Sequence, residues 1–364
     1  MAFSRREFLR NAALSGAALG GALSSGGFLT PAVAATPVKE TLSKLSGKTM
    51  TATSWGGSFQ DAQRNAWFTP FAKEAGITVN EDTDPSDARI AAMVKNNAVI
   101  WDVCDVGLEQ TFSAGEAGYL APLDYNVIDT DGIPSAFVTK YGIGNIAWAS
   151  VVAYRTDAIK GDVPTSVVDL WDLKRFPGKR TMRDYPLDAI PWALLAAGVP
   201  KDQIYPITDE KLDTAFKKLD EIKNDTIWWS AGAQPAQLLS SKEVAIAHIW
   251  NGRVGTLLDE MVPVEMIWKD AHLLVDAWAI PNHAPNNDVG MAFVAWASQP
   301  ENNARISAEI AYGPVNKKAI PLASKKYENL LPTSHFDEML VCDYNWWGPN
   351  VARMLERWQE WKTM

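Results

Sequence analysis

Two stretches decide the reading of this chain: Ile246-Ala-His-Ile-Trp250-Asn-Gly-Arg253 and, after a polar interval, Leu273-Leu-Val-Asp276-Ala-Trp278-Ala-Ile-Pro281. Each is a short apolar run bounded by breakers, which reads as a buried strand, and each carries a charged or aromatic side chain to a strand end. Strand ends are where α/β proteins hold ligands. A cation (Arg253), a carboxylate (Asp276) and two large rings therefore fall close together, a set suited to gripping a small polar molecule between aromatic faces. The plainer alternative is that Trp250 is core and that Arg253 and Asp276 pair with each other.

Working outward, Lys48–Ser54 alternates β-branched residues like a strand, and Trp55-Gly56-Gly57-Ser58 breaks it into a helix from about Phe59 to Glu74. Ser58 is its expected N-cap. The glycines allow a tight turn and close backbone approach to a ligand, and the helix start offers free N–H groups. Trp55 is then either an aromatic wall or packing under the helix. A strand over Gly76–Val79, a helix from about Ser86 to Asn96 and a strand over Trp101–Gly107 complete two right-handed βαβ units of a parallel sheet. The loops Trp55–Gly57, Glu81–Thr83 and Gly107–Glu109 should open at one sheet edge. The long apolar strand Ile143–Tyr154 suits a segment passing between lobes. Asp184 and Asp188 lie near the start of a helix over Ala189–Ala197, where carboxylates are favourable whatever the function. Helices are also expected over Thr208–Asn224, Val289–Ser298, Glu301–Ile310 and in the tail around Val351–Trp361.

The chain has 364 residues, 47% apolar and 21% charged, enough for two lobes of ordinary size. A net charge of -9, with no basic run beyond the N-terminus, argues against nucleic acid or an anionic membrane surface as partner. Residues 1–35 read as a twin-arginine export signal: Arg5-Arg6, a modest Ala/Gly/Leu/Ser stretch and the cleavage site Ala32-Val33-Ala34. That stretch is too short and glycine-rich to span a membrane, so a periplasmic mature chain starting near Ala35 is expected. Cys104 and Cys342 lack C-x-x-C spacing, and His248, His272, His283 and His335 lack metal-ligand spacing, so no cofactor or metal is expected. Two buried thiols are expected rather than a bridge. Sixteen tryptophans, several before glycines or at strand ends, fit an aromatic-lined cleft more than a uniform core.

The chain resembles the substrate-binding proteins of bacterial ABC importers, in the spermidine/putrescine-type branch of the extracellular solute-binding family. The resemblance rests on Ser54-Trp55-Gly56-Gly57-Ser58-Phe59-Gln60 with Phe71–Val79, on Ile249-Trp250-Asn251-Gly252, on Asp276-Ala-Trp-Ala-Ile-Pro281 and on Ala311-Tyr312-Gly-Pro-Val-Asn316, in that order. It implies a two-lobed periplasmic-binding-protein fold (type II), each lobe a mainly parallel sheet flanked by helices, closing by a hinge on one ligand. By position, Trp55, Trp250 and Tyr312 become aromatic walls and Asp276 the carboxylate for a ligand ammonium. Asp188 falls near a second carboxylate of polyamine binders. Arg253 departs from that pattern, which has a small residue there. A guanidinium would repel a dication, and Arg is the usual fork for a carboxylate. Two ligand readings follow: a zwitterion with separated charges, such as 4-aminobutyrate, between Arg253 and Asp276, or a polyamine between Asp276 and Asp188 with Arg253 turned into a structural salt bridge. Small dicarboxylates and phosphonates stand third.

Other classes fare less well. No G-x-S-x-G, triad spacing or metal cluster points to an enzyme. A sensor presenting its ligand to a membrane receptor would share the fold. The expected organisation is lobe 1 over 48–152 and 279–330, lobe 2 over 153–278 and a C-terminal helical segment over 331–364. A monomer delivering its ligand to an inner-membrane permease is expected.

Overall fold

The computed structural model describes residues 42–364, so the expected export signal lies outside the described residues. The chain opens with β1 (Thr49–Ser54), then α1 (Gly57–Gln63), which passes through a π-helical turn at Arg64–Phe68 into α2 (Thr69–Ala75). Gly76, left-handed at φ 66°, ends that helix as a glycine C-cap does. There follow β2 (Thr78–Thr83), α3 (Asp87–Lys95), β3 (Val103–Gly107) and α4 (Gln110–Glu116). β1 pairs in parallel with both β2 and β3, the geometry expected of the βαβ units.

β4 (Gly142–Arg155) is buried along its whole length. Beyond it come β5 (Arg180–Arg183), α5 (Pro186–Ala196), α6 (Asp209–Asp220), β6 (Thr226–Trp229), α7 (Gln234–Ser240) and β7 (Ile246–Trp250). α8 (Asn251–Asp259) leads to β8 (Val264–Ala279). β8 is longer than the run from Leu273 predicts, because its first half is interrupted by polar residues, with Glu265 and Lys269 exposed; continuous burial begins only at Ala271.

All strands join one sheet in the order β2-β1-β3-β8-β4-β7-β5-β6. The two outer triplets, β2-β1-β3 and β7-β5-β6, are parallel as expected. The middle is not: β4 and β8 run antiparallel to each other, β8 is antiparallel to β3, and β4 is antiparallel to β7. The last residues of β8 (Asp276–Ala279) pair with β3, and the last residues of β4 (Ser150–Tyr154) pair with β7. These two strands thus pass from one half-sheet to the other, and their ladder shifts register between Gly144 and Ile146 and again between Ser150 and Val152. Such irregularities bend a strand locally.

Downstream lie α9 (Asn287–Ala297) and two short helices, Pro300–Asn303 and Ile306–Glu309, where one helix was expected. The break follows from the asparagines. Asn302 Nδ2 donates to Trp296 O and Asn303 Nδ2 to Asn145 O, contacts that draw these side chains into the core instead of leaving them on a helix face. Last come β9 (Gly313–Pro314), β10 (Leu340–Val341) and α10 (Tyr344–Thr363).

α10 touches both halves. Phe112 of α4 packs against Gly348, and the Tyr344 hydroxyl meets the Val275 backbone. At its far end Trp358 and Trp361 pack on Phe216 and Trp228, while Trp358 Nε1 donates to Asp184. One apolar cluster runs through both half-sheets. Many tryptophans belong to it, among them Trp67, Trp192, Trp229, Trp278 and Trp347, each fully buried, so the expectation of a mainly cleft-lining set is corrected. Their large rings fill the space between sheet and helices. Cys104 and Cys342 are buried and free. Among the described residues no helix is long and apolar enough to cross a membrane.

Candidate functional site

The strand ends bring the expected side chains to the joint between the half-sheets. β7 ends at Trp250, and the turn into α8 places Arg253 in that helix's first turn. Arg253 reaches across the joint: Nη2 donates to Gly56 O and Nη1 to Ser58 Oγ, both at 2.8 Å. Ser58 therefore does not cap α1; Gly56 holds the cap position and Ser58 lies inside the helix. Gly57 sits at φ 58°, and a Cβ there would stand 3.0 Å from Arg253 Nη1. Glycine is needed here both for the left-handed backbone and for the guanidinium's approach. Arg253 is 2% exposed, its Nε–H meets no acceptor, and no carboxylate lies within ion-pair distance of it among the described residues. Burial lowers its pKa, as it must for a cation removed from water.

Asp276 and Arg253 do not pair with each other. Asp276 Oδ1 accepts from Trp148 Nε1 at 2.7 Å. Burial, reinforced by the neighbouring Asp105 carboxyl, pushes the Asp276 carboxyl well above the ordinary range. Asp105, on β3, accepts from Asn145 Nδ2 at 2.5 Å and is itself raised by burial. Tyr312 lies within electrostatic reach of both Arg253 and Asp276, and burial raises its phenol. Its ring fits because residue 252 is glycine: a Cβ there would fall 2.5 Å from the ring.

Trp250 is 6% exposed and stands edge-on to Trp148 at 5.4 Å and to Trp229 at 5.3 Å. It is as much core as wall, although its Nε1–H has no acceptor among the described residues. Trp55 is half-buried.

Asp188 lies elsewhere than at an open face. It is fully buried in the first turn of α5, with His272 Nδ1 at 3.4 Å, Arg183 Nη1 at 3.6 Å and His248 Nε2 at 4.0 Å. Burial would raise its carboxyl, but these groups outweigh burial and hold it at about 2. Burial pushes His248 down to about 4, so it is neutral near pH 7. Its Nδ1 accepts from the Arg183 backbone N–H at 3.0 Å, which leaves Nε2 to donate to Ser150 Oγ at 3.1 Å.

Two residues at the joint have no site role in the sequence reading. Arg183 ends β5 and faces Tyr185, Trp250 and Trp55, with Cζ at 4.5, 5.3 and 5.9 Å from the three ring centroids. Glu109, just past β3, is 3% exposed, accepts from the Tyr185 hydroxyl at 3.4 Å and is pushed by burial up to about 8. The loop Gly107–Glu109 carried a signal, since it falls at the expected sheet edge. A lone Arg after Met182 carried none.

Two half-sheets joined by shared strands, with a buried unpaired guanidinium at the joint, define the class: an α/β protein of the periplasmic-binding kind. The chain belongs to the bacterial extracellular solute-binding protein family, whose model matches residues 66–333. It is 31% identical over 323 residues to the gamma-aminobutyric acid-binding protein of Pseudomonas aeruginosa, covering 86% of this chain and 91% of that one. It is 25% identical over 266 residues to spermidine/putrescine-binding periplasmic protein 1 of Haemophilus influenzae, covering 69% and 72%. Among solved structures, the Atu4243–GABA receptor structure is 37% identical with a TM-score of 0.76, covering 86% of this chain and 97% of that one. The family and these relatives are solute-binding proteins of transport systems, and the fold is that of periplasmic binding proteins.

Proposed function

We propose that this chain captures 4-aminobutyrate, or an ω-amino acid close to it, in the periplasm and delivers it to an ABC permease. Lobe 1 (48–152 and 279–330) and lobe 2 (153–278) close on the ligand, with β4 and β8 as the hinge and residues 331–364 packed on both. Asp276 takes the ammonium and Arg253 the carboxylate, while Tyr312 and the edges of Trp55 and Trp250 wall the methylenes. The observation that carries this reading is Arg253, a buried guanidinium with no carboxylate within ion-pair distance among the described residues, feeling only the more distant charge of Asp61, and with an unused Nε–H. Such a group is costly unless an anion completes it. A carboxylate binding side-on would use the Nε–H and the free Nη2–H as a fork.

The polyamine reading lacks the same support. Its second carboxylate, Asp188, already faces Arg183 and two histidines, and Arg253 makes no salt bridge among the described residues. Calorimetric titration of residues 36–364, refolded to remove carried-over ligand, tests the proposal. Tight binding of 4-aminobutyrate that Arg253→Ala abolishes is expected. Binding of 4-aminobutyrate that survives Arg253→Ala undiminished would sink the two-ended clamp.

A further inference from the structure

The surroundings of Arg183 have the composition of an ammonium site. Tyr185 and Trp250 from the second half-sheet and Trp55 from the first turn toward one guanidinium, and a fully buried carboxylate, Asp188, stands 3.6 Å from its Nη1. Aromatic faces backed by a carboxylate are what hold a free organic cation. Here the cation belongs to the protein. Its side chain is 12% exposed, and its charge is felt by Asp276 and Glu109. Asp188 has no second permanent cation within ion-pair distance among the described residues, since its other two neighbours there are histidines.

We propose that Arg183 is a charge filter: its guanidinium fills the Trp55–Tyr185–Trp250 cage and takes Asp188, so the cleft accepts a ligand with one ammonium and rejects a diamine. The proposal rests on the reading that the ligand's ammonium lies at Asp276. Along the path of the amino acid a second ammonium would meet Arg253; along the other path, toward Asp188, it would meet Arg183, a fixed positive charge at faces that are already occupied, and like charges without water between them repel strongly. Selectivity against the diamine then comes from a repulsive element and not from a better fit to the amino acid.

The test titrates 4-aminobutyrate and putrescine into the wild type, Arg183→Met and the double variant Arg183→Met/Asp188→Asn, with a melting curve for each. The wild type should bind 4-aminobutyrate and not putrescine. Arg183→Met should bind putrescine at least tenfold more tightly than the wild type does, and the double variant should lose that gain because the carboxylate is gone. Arg183→Gln carries the same prediction if the methionine variant does not melt cooperatively. A wild type that binds putrescine as well as 4-aminobutyrate overturns the filter, and so does a folded Arg183→Met or Arg183→Gln with no gain for putrescine. Survival of the gain in the double variant also overturns it, for then Asp188 is not the acceptor. If the wild type binds neither ligand, the 4-aminobutyrate reading fails, while the comparison of putrescine binding between wild type and Arg183→Met still decides the filter.

Discussion

Asp276 and Glu109 are buried carboxyls with opposite uses. Asp276 keeps one oxygen on Trp148 and is raised by burial and by Asp105, so a ligand ammonium is the partner that would restore its ionised form. Asp276→Asn preserves the shape and removes the charge. It should weaken 4-aminobutyrate binding by roughly 10- to 100-fold, since a hydrogen bond to a charged group is worth about 1.5–3 kcal/mol; calorimetry reads this directly. Glu109 titrates near 8 in the folded chain against 4.5 when exposed. Its contribution to stability is intact below about pH 4.5 and is lost as the pH rises through about 8, because the unfolded chain gives up the proton first. Glu109→Gln should therefore be more stable than the parent at pH 9, by on the order of a few kcal/mol in urea denaturation, and level with it at pH 4. His248 works from the other side. Lowered from 6.5 to about 4, it makes stability fall as the pH drops through that interval, since only the unfolded chain takes up the proton.

α10 does at element scale what no single residue does, fastening the back of both half-sheets. Trp358, fully buried, packs on Phe216, Trp228 and Trp361 and donates to Asp184. Trp358→Ala should cost about 3–5 kcal/mol, the usual loss for a buried tryptophan, measured by urea denaturation. Much at this scale was legible. β1, β3 and β7, the helices after β1 and β2 and the amphipathic α6 follow from periodicity and breakers, whereas β2 runs on through Glu81–Thr83, expected as a loop, and α4 and α7 were not foreseen. What escaped did so for physical reasons. The first half of β8 is interrupted by Glu265, Lys269 and Asp270, and the broken helix after α9 depends on where Asn302 and Asn303 find acceptors, Asn303 far away in sequence at Asn145. At the site, Trp55, Arg253, Asp276 and Tyr312 were marked by motif and position. Arg183 was not, because its meaning lies in three rings that the fold gathers from residues 55, 185 and 250.

The molecule as a whole is one sheet held in two halves by a pair of strands, and a ligand that touches both halves should lock it. Adding 4-aminobutyrate at a hundredfold excess over its dissociation constant should stabilise the chain by about 2.7 kcal/mol. Small-angle scattering should show the radius of gyration falling on binding, and Arg253→Ala should remove both effects. The same architecture dictates an order of assembly. β3 is synthesised by Gly107, yet its neighbour on the open side is Asp276–Ala279, and β4 waits for the same strand. The β2-β1-β3 half cannot gain its inner neighbour until about three quarters of the chain exists, and closing loops of that length slows folding. A nascent chain stopped before Val264 would carry the bare edges of both β3 and β4, which are templates for pairing with other chains. Synthesis of residues 264–364 thus decides between a closed sheet and bare edges open to aggregation.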